Sequence, residues 1–107
     1  MAKADGSISS ARLASSFDSN EALSDSLYLY KVISVRGVVQ KIVRRDPGGY
    51  ILTLDGRTPG KAAVDCHLDS IYNNRYLPLR NGDSVSLRGT CAGRLFNVIL
   101  MQCIIEK

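Results

Sequence analysis

The residues best suited to chemistry cluster around one histidine. His67 is the single histidine of the chain, and Asp65, Cys66 and Asp69 lie beside it. A Cys–His–Asp constellation can be written from these four residues. The local pattern argues against it, because neighbours on a strand point to opposite faces. Cys66 and His67 therefore cannot converge on one ion or one reacting atom. There is no Cys-x2-Cys pair to complete a metal site. There is also no Gly-x-Ser-x-Gly elbow to expose a hydroxyl nucleophile. A second candidate is the Gly60-Lys61 step, which resembles the end of a phosphate-binding loop. Such a loop needs Gly-x4-Gly-Lys-Ser/Thr, so that successive N–H groups wrap the phosphates and a hydroxyl reaches the metal. Here Asp55 stands at the first glycine position and Ala62 at the hydroxyl position, while Pro59 lacks an N–H. The residues predict no enzyme, no cofactor and no metal.

Charge points to a partner instead. The 107 residues carry a formal net charge of +4. Residues 1–30 are net acidic, and all of the basic excess falls from Lys31 onward. A basic strand-rich region favours a polyanion or an anionic surface. No apolar run approaches the roughly 20 residues that cross a bilayer. The N-terminus, Met-Ala-Lys-Ala-Asp-Gly-Ser, has no apolar signal core. It suits a cytoplasmic start if it is the native one, and equally a mature region whose leader lay upstream.

The elements that must position these residues follow from periodicity. Residues 1–6 read as a disordered N-terminus and residues 7–107 as one domain. Within it, residues 7–29 form a helical segment. Ser7 is the expected cap of a first helix whose stripe is Ile8, Ala11, Leu13, Ala14 and Phe17. Asn20 caps a second helix bearing Leu23 and Leu27. The tyrosines Tyr28, Tyr30, Tyr72 and Tyr76 are expected to pack helical parts on the sheet.

Five strands follow. Val32–Val43 is long and β-branched, with Gly37 marking a bend. Asp46-Pro-Gly-Gly turns the chain into Tyr50–Leu54. The remaining strands are Lys61–Leu68, Ser84–Cys91 and Asn97–Ile105, with a short helix over Asp69–Tyr76 between the third and fourth. Five strands, a bent first strand and a helical third connection make an all-β fold with an N-terminal helix, the five-stranded OB-fold barrel.

The details sharpen this. Leu13…Phe17-x-x-Asn20-Glu21-Ala22, Val35-Arg36-Gly37-Val38-Val39, Gly82-Asp83-x-Val85 and Gly89-x-Cys91-x-Gly93 with Cys103 near the end resemble the tRNA_anti-like OB-fold family. That family includes bacterial lipoproteins assigned to nucleic-acid binding. The resemblance runs from about residue 10 to the C-terminus. It implies a non-enzymatic binding module and a location at the bacterial cell envelope, periplasmic with a lipid-anchored precursor. A membrane would be met only through a lipid anchor absent from the sequence in hand.

OB-folds bind single strands across the second and third strands, between the first-second and fourth-fifth loops. The residues expected to meet single-stranded nucleic acid are therefore Lys41, Arg44, Arg45, Tyr50, Arg57, Lys61, Arg94 and Phe96, with Tyr50 available to stack a base. If Tyr50, Leu52 and Leu54 point inward, the outward set is Ile51, Thr53, Asp55, Ala63, Asp65 and His67, whose two acids oppose phosphate. A protein-interaction module of the envelope with no nucleic-acid role is the alternative, with Arg36 and Arg88 as a second basic site. The thiols Cys66 and Cys91 fall on inward faces, and Cys103 on the last strand can reach either neighbour. A Cys91–Cys103 disulfide suits an oxidising compartment, and buried free thiols suit a reducing one.

Overall fold

The computed structural model describes residues 7–45, 49–56, 63–68 and 79–106. In chain order these form β1 (Ser7–Ser9), α1 (Ser10–Ser19), α2 (Glu21–Tyr28), β2 (Val32–Arg44), β3 (Tyr50–Leu54), β4 (Val64–Leu68), β5 (Ser84–Arg94) and β6 (Val98–Ile105). The expected disordered residues 1–6, the helix over 69–76, and Tyr72 and Tyr76 lie outside the described residues.

β2 serves both sides of a closed sheet. Val32–Val38 pair antiparallel with β5, and Val39–Arg44 pair antiparallel with β3. β3 pairs with β4, β4 runs parallel to β6, and β6 returns to β5. The circuit β2-β3-β4-β6-β5-β2 closes, giving the five-stranded OB-fold barrel with helices at its N-terminal end. Closure removes the unpaired edges that an open sheet would expose.

The transfer from one partner to the other occurs just after Gly37. A Cβ there would lie 2.1 Å from Ser10 Oγ and 3.0 Å from Asp55 Oδ1, so only glycine lets the start of α1 press against the strand. Ser10 Oγ donates to Asp55 Oδ1 at 2.9 Å, and the Val38 N–H donates to the same oxygen at 2.9 Å. One carboxylate thus ties the first turn of α1, the bend in β2 and the end of β3.

The N-terminal segment departs from expectation in its first residues. Ser7–Ser9 pair in parallel with Ser34–Arg36 of β2, adding a sixth, short strand. That pairing delays the helix, so the cap is Ser9 rather than Ser7. Its side chain accepts from the Arg12 N–H at 3.2 Å. Leu13, Ala14 and Phe17 are buried as expected and close the barrel, whereas Ile8 packs from β1. Asn20 caps α2 through Leu23 N–H at 3.0 Å. Leu23 and Leu27 stay largely in solvent, being 55% and 47% exposed. With Asn20 as the whole connection, α2 turns Ser24 rather than its leucines to the inside. Ser24 and Ser16 share a hydroxyl hydrogen bond of 2.6 Å. Tyr28 packs on Phe17, with ring centroids 6.2 Å apart. Tyr30 does not pack. Its φ of 64° and its N–H bond to Cys91 O leave the ring in solvent.

Candidate nucleic-acid interface

Residues paired across a sheet share a face. On β2, β3 and β4 the outward rows are Lys41–Thr53–Asp65 and Val43–Ile51–His67, with Arg45 beyond the second row. Lys41, Val43, Arg44 and Arg45 are exposed. At the other end of β4 stands the β5–β6 turn, where Leu95 is 85% and Phe96 67% exposed. The face is thus an apolar centre of Val43 and Ile51, a basic margin along β2, and an aromatic projection at the far loop.

The two outward acids are both occupied. Asp55 is drawn off the face to Ser10 and the Val38 N–H. Asp65 Oδ1 accepts from Thr53 Oγ1 at 2.7 Å, and its Oδ2 accepts from Asn97 Nδ2 at 3.2 Å. Asn97 Oδ1 in turn accepts from the Ala63 N–H at 2.9 Å. Asn97 therefore fastens the β5–β6 turn to the face. In the sequence Asn97 shows only as a strand start, although a short amide side chain in a turn is a common loop clamp. Ala63, expected outward, is buried.

Of the residues expected at the interface, Lys41 and Arg45 share the outward face and Phe96 stands at the loop, whereas Arg44, exposed at the end of β2, pairs with Tyr50 on the opposite face. Arg57 and Lys61 lie outside the described residues. Tyr50 is a correction. It is only 7% exposed and joins Leu52 and Leu54 in the core, so it cannot stack a base. The alternation of β3 fixes this: the register that buries Leu52 buries Tyr50 as well. Arg94 is a second correction. Its Nε donates to Glu21 Oε1 at 3.1 Å and its Nη1 pairs with Asp18. The β5 hairpin extends three residues beyond Cys91, to Arg94, and this brings the guanidinium against the junction of α1 and α2. Arg94 holds the helices to the barrel.

His67 faces the site and is held by it. Arg45 Nη1 lies 3.3 Å from His67 Nδ1. A guanidinium can only donate, so Nδ1 accepts and the ring is neutral with its proton on Nε2. Burial lowers the imidazole pKa below its ordinary 6.5, the Arg45 charge lowers it further, and Asp65 partly opposes them. The sign follows: the unfolded chain takes up the proton first, so this residue's contribution to stability falls as pH drops from above 6.5 through the depressed value. Protonation also breaks the Arg45 bond and adds a cation to the face. Oligonucleotide affinity should rise about 2–5-fold between pH 7.5 and 5.5, and His67→Gln should flatten that rise. An unchanged pH profile in the variant would exclude His67 from the interface.

The thiols take no part in this face. Cys66, Cys91 and Cys103 are all buried and free, with no bond between Cys91 and Cys103. Among the described residues no group of three or more histidine, cysteine or acidic side chains could hold a metal ion.

A closed barrel with a β2–β3–β4 face of this kind is an OB-fold module. The chain belongs to the tRNA_anti-like family, whose model matches residues 1–105. It is similar in structure to a lipoprotein from Klebsiella pneumoniae provisionally described as nucleic acid-binding. The TM-score is 0.73 at 23% identity, over 94% of this chain and 91% of that one. Comparison with curated proteins finds no match.

Proposed function

We propose that the protein binds single-stranded nucleic acid, with little sequence preference, across the outward face of β2, β3 and β4. The observation that carries this reading is the placing of Lys41 and Arg45 on either side of Val43 on the outward face, beside the half-buried Ile51, with Arg44 exposed at the end of the same strand. Cations spaced along a strand can follow a phosphate backbone, and an apolar strip accepts base faces. Phe96 supplies a stacking ring at the far loop, worth about 1–3 kcal/mol per base engaged. Asp65, held by Thr53 and Asn97, accepts hydrogen bonds and so faces base edges rather than phosphates. No step of bond making is involved.

The test is a salt titration of a fluorescent oligothymidylate by anisotropy. Two phosphate contacts, at Lys41 and Arg45, with a slope near −0.7 each give a loss of about 7-fold in affinity between 50 and 200 mM salt. Millimolar binding at 50 mM salt, or affinity indifferent to salt, would overturn the reading.

A role as an envelope interaction module is the second reading. It draws on the Klebsiella relative, described as a lipoprotein, and on the exposed Leu23 and Leu27 of α2. On this reading the protein sits at the bacterial envelope on a lipid-anchored precursor, and α2 rather than the β2 margin meets the partner.

A further inference from the structure

The three thiols are sealed in the barrel, and one pair of them is aimed together by two local irregularities. β6 carries one extra residue relative to both neighbours. Cys66 stands opposite Leu100 and Leu68 opposite Cys103 on the β4 side, and Thr90 stands opposite Met101 and Arg88 opposite Ile104 on the β5 side. The extra residue belongs to a bulge at Gln102, whose φ is 54°. Strict alternation from the inward Leu100 would turn Gln102 inward and Cys103 outward. The bulge reverses the phase, so Gln102 is exposed and Cys103 is fully buried. Gly89 then makes room, because a Cβ there would lie 2.5 Å from Cys103 Sγ. Cys66 and Cys103 then lie on the adjacent strands β4 and β6 with both side chains inside the barrel, Cys66 two residues from the Leu68 that Cys103 pairs with. Cys91 of β5, also buried, stands opposite Leu100.

We propose that Cys66 and Cys103 are a disulfide-forming pair, a covalent link between β4 and β6 made as the barrel folds in the presence of a small-molecule disulfide such as oxidised glutathione, with Cys91 left as a free thiol. The thiolate of one cysteine attacks the oxidant, releasing one reduced small thiol and leaving a mixed disulfide. The second cysteine loses its proton and attacks the protein-side sulfur, and the second small thiol leaves. The two cysteines are oxidised together and one disulfide of the oxidant is reduced to two thiols. Both sulfurs are inaccessible in the closed barrel, so the exchange belongs to the open chain. Burial and the neighbouring thiol also push the Cys66 pKa up, which keeps it protonated once the barrel has closed.

The experiment refolds the reduced, denatured protein in a glutathione redox buffer, alkylates it under denaturing conditions and maps the peptides by mass spectrometry without reduction. The expected product is about 2 Da lighter than the reduced chain, carries one Cys66–Cys103 peptide pair and is alkylated only at Cys91. Cys91→Ala should give the same link, and Cys66→Ala or Cys103→Ala none. The linked form should unfold about 10 °C above the reduced form. A Cys91–Cys103 peptide pair would overturn the proposal. So would refolded wild-type protein, native by circular dichroism, in which all three cysteines are alkylated.

Discussion

Replacing Lys41, Arg44 and Arg45 together by glutamate should reduce affinity for a single-stranded oligonucleotide by about 100-fold or more at 50 mM salt. Reversal at Lys41 and Arg45 replaces two phosphate contacts by repelling charges, and reversal at Arg44, exposed at the end of the same strand, adds a third repelling charge beside them. The formal net charge falls from +4 to about −2, so long-range attraction is lost with the contacts. The three side chains are exposed, which limits the cost to folding to about 0.5 kcal/mol per site. Denaturant unfolding of the variant should therefore stay close to wild type while anisotropy is lost. Arg94→Ala is the matched control. Its guanidinium is already engaged by Asp18 and Glu21, so the change should leave affinity within about two-fold and act on helix docking instead. If the triple variant bound as the wild type does, the β2 margin would not be the interface, and Arg36 with Arg88 would be the basic residues to test next.

That control marks where reading the sequence stopped. The barrel was legible because its signals are local: alternation in Tyr50–Leu54 and Ser84–Cys91, a glycine at the bend of the long strand, and Asn20 ahead of a helical turn. Each needs only a residue and its near neighbours. Arg94 looked like a loop cation because its partners, Asp18 and Glu21, lie more than seventy positions away. Tyr50 was placed in both roles by its chemistry, and the register against β4 decides between them. Asp65 appeared repulsive until Thr53 and Asn97 were seen to hold it. The facing of Cys103 is hidden for a different reason. Counting faces by strict alternation cannot detect an inserted residue, and the bulge at Gln102 changes which neighbour Cys103 meets. Long-range charge pairing and strand irregularity are both properties of the assembled sheet.

The same distinction separates the two helices, and a pair of substitutions should expose it. Phe17→Ala should destabilise the protein by about 3–5 kcal/mol, whereas Leu23→Ala should cost no more than about 0.5 kcal/mol. Both residues lie on apolar stripes of similar appearance in the sequence. Phe17 is fully buried at the closed end of the barrel, where Leu13, Ala14 and Tyr28 surround it, and truncation would leave a cavity that the closed strand circuit cannot collapse to fill. Leu23 is mostly in water already, because Asn20 sets the phase of α2 so that Ser24 takes the inward position. A domain of this size is stable by only about 5–15 kcal/mol, so the Phe17 variant should melt well over 10 °C lower. Equal losses from the two variants would mean that α2 packs through its leucines. The Ser16–Ser24 contact would then not be the one that joins the helices.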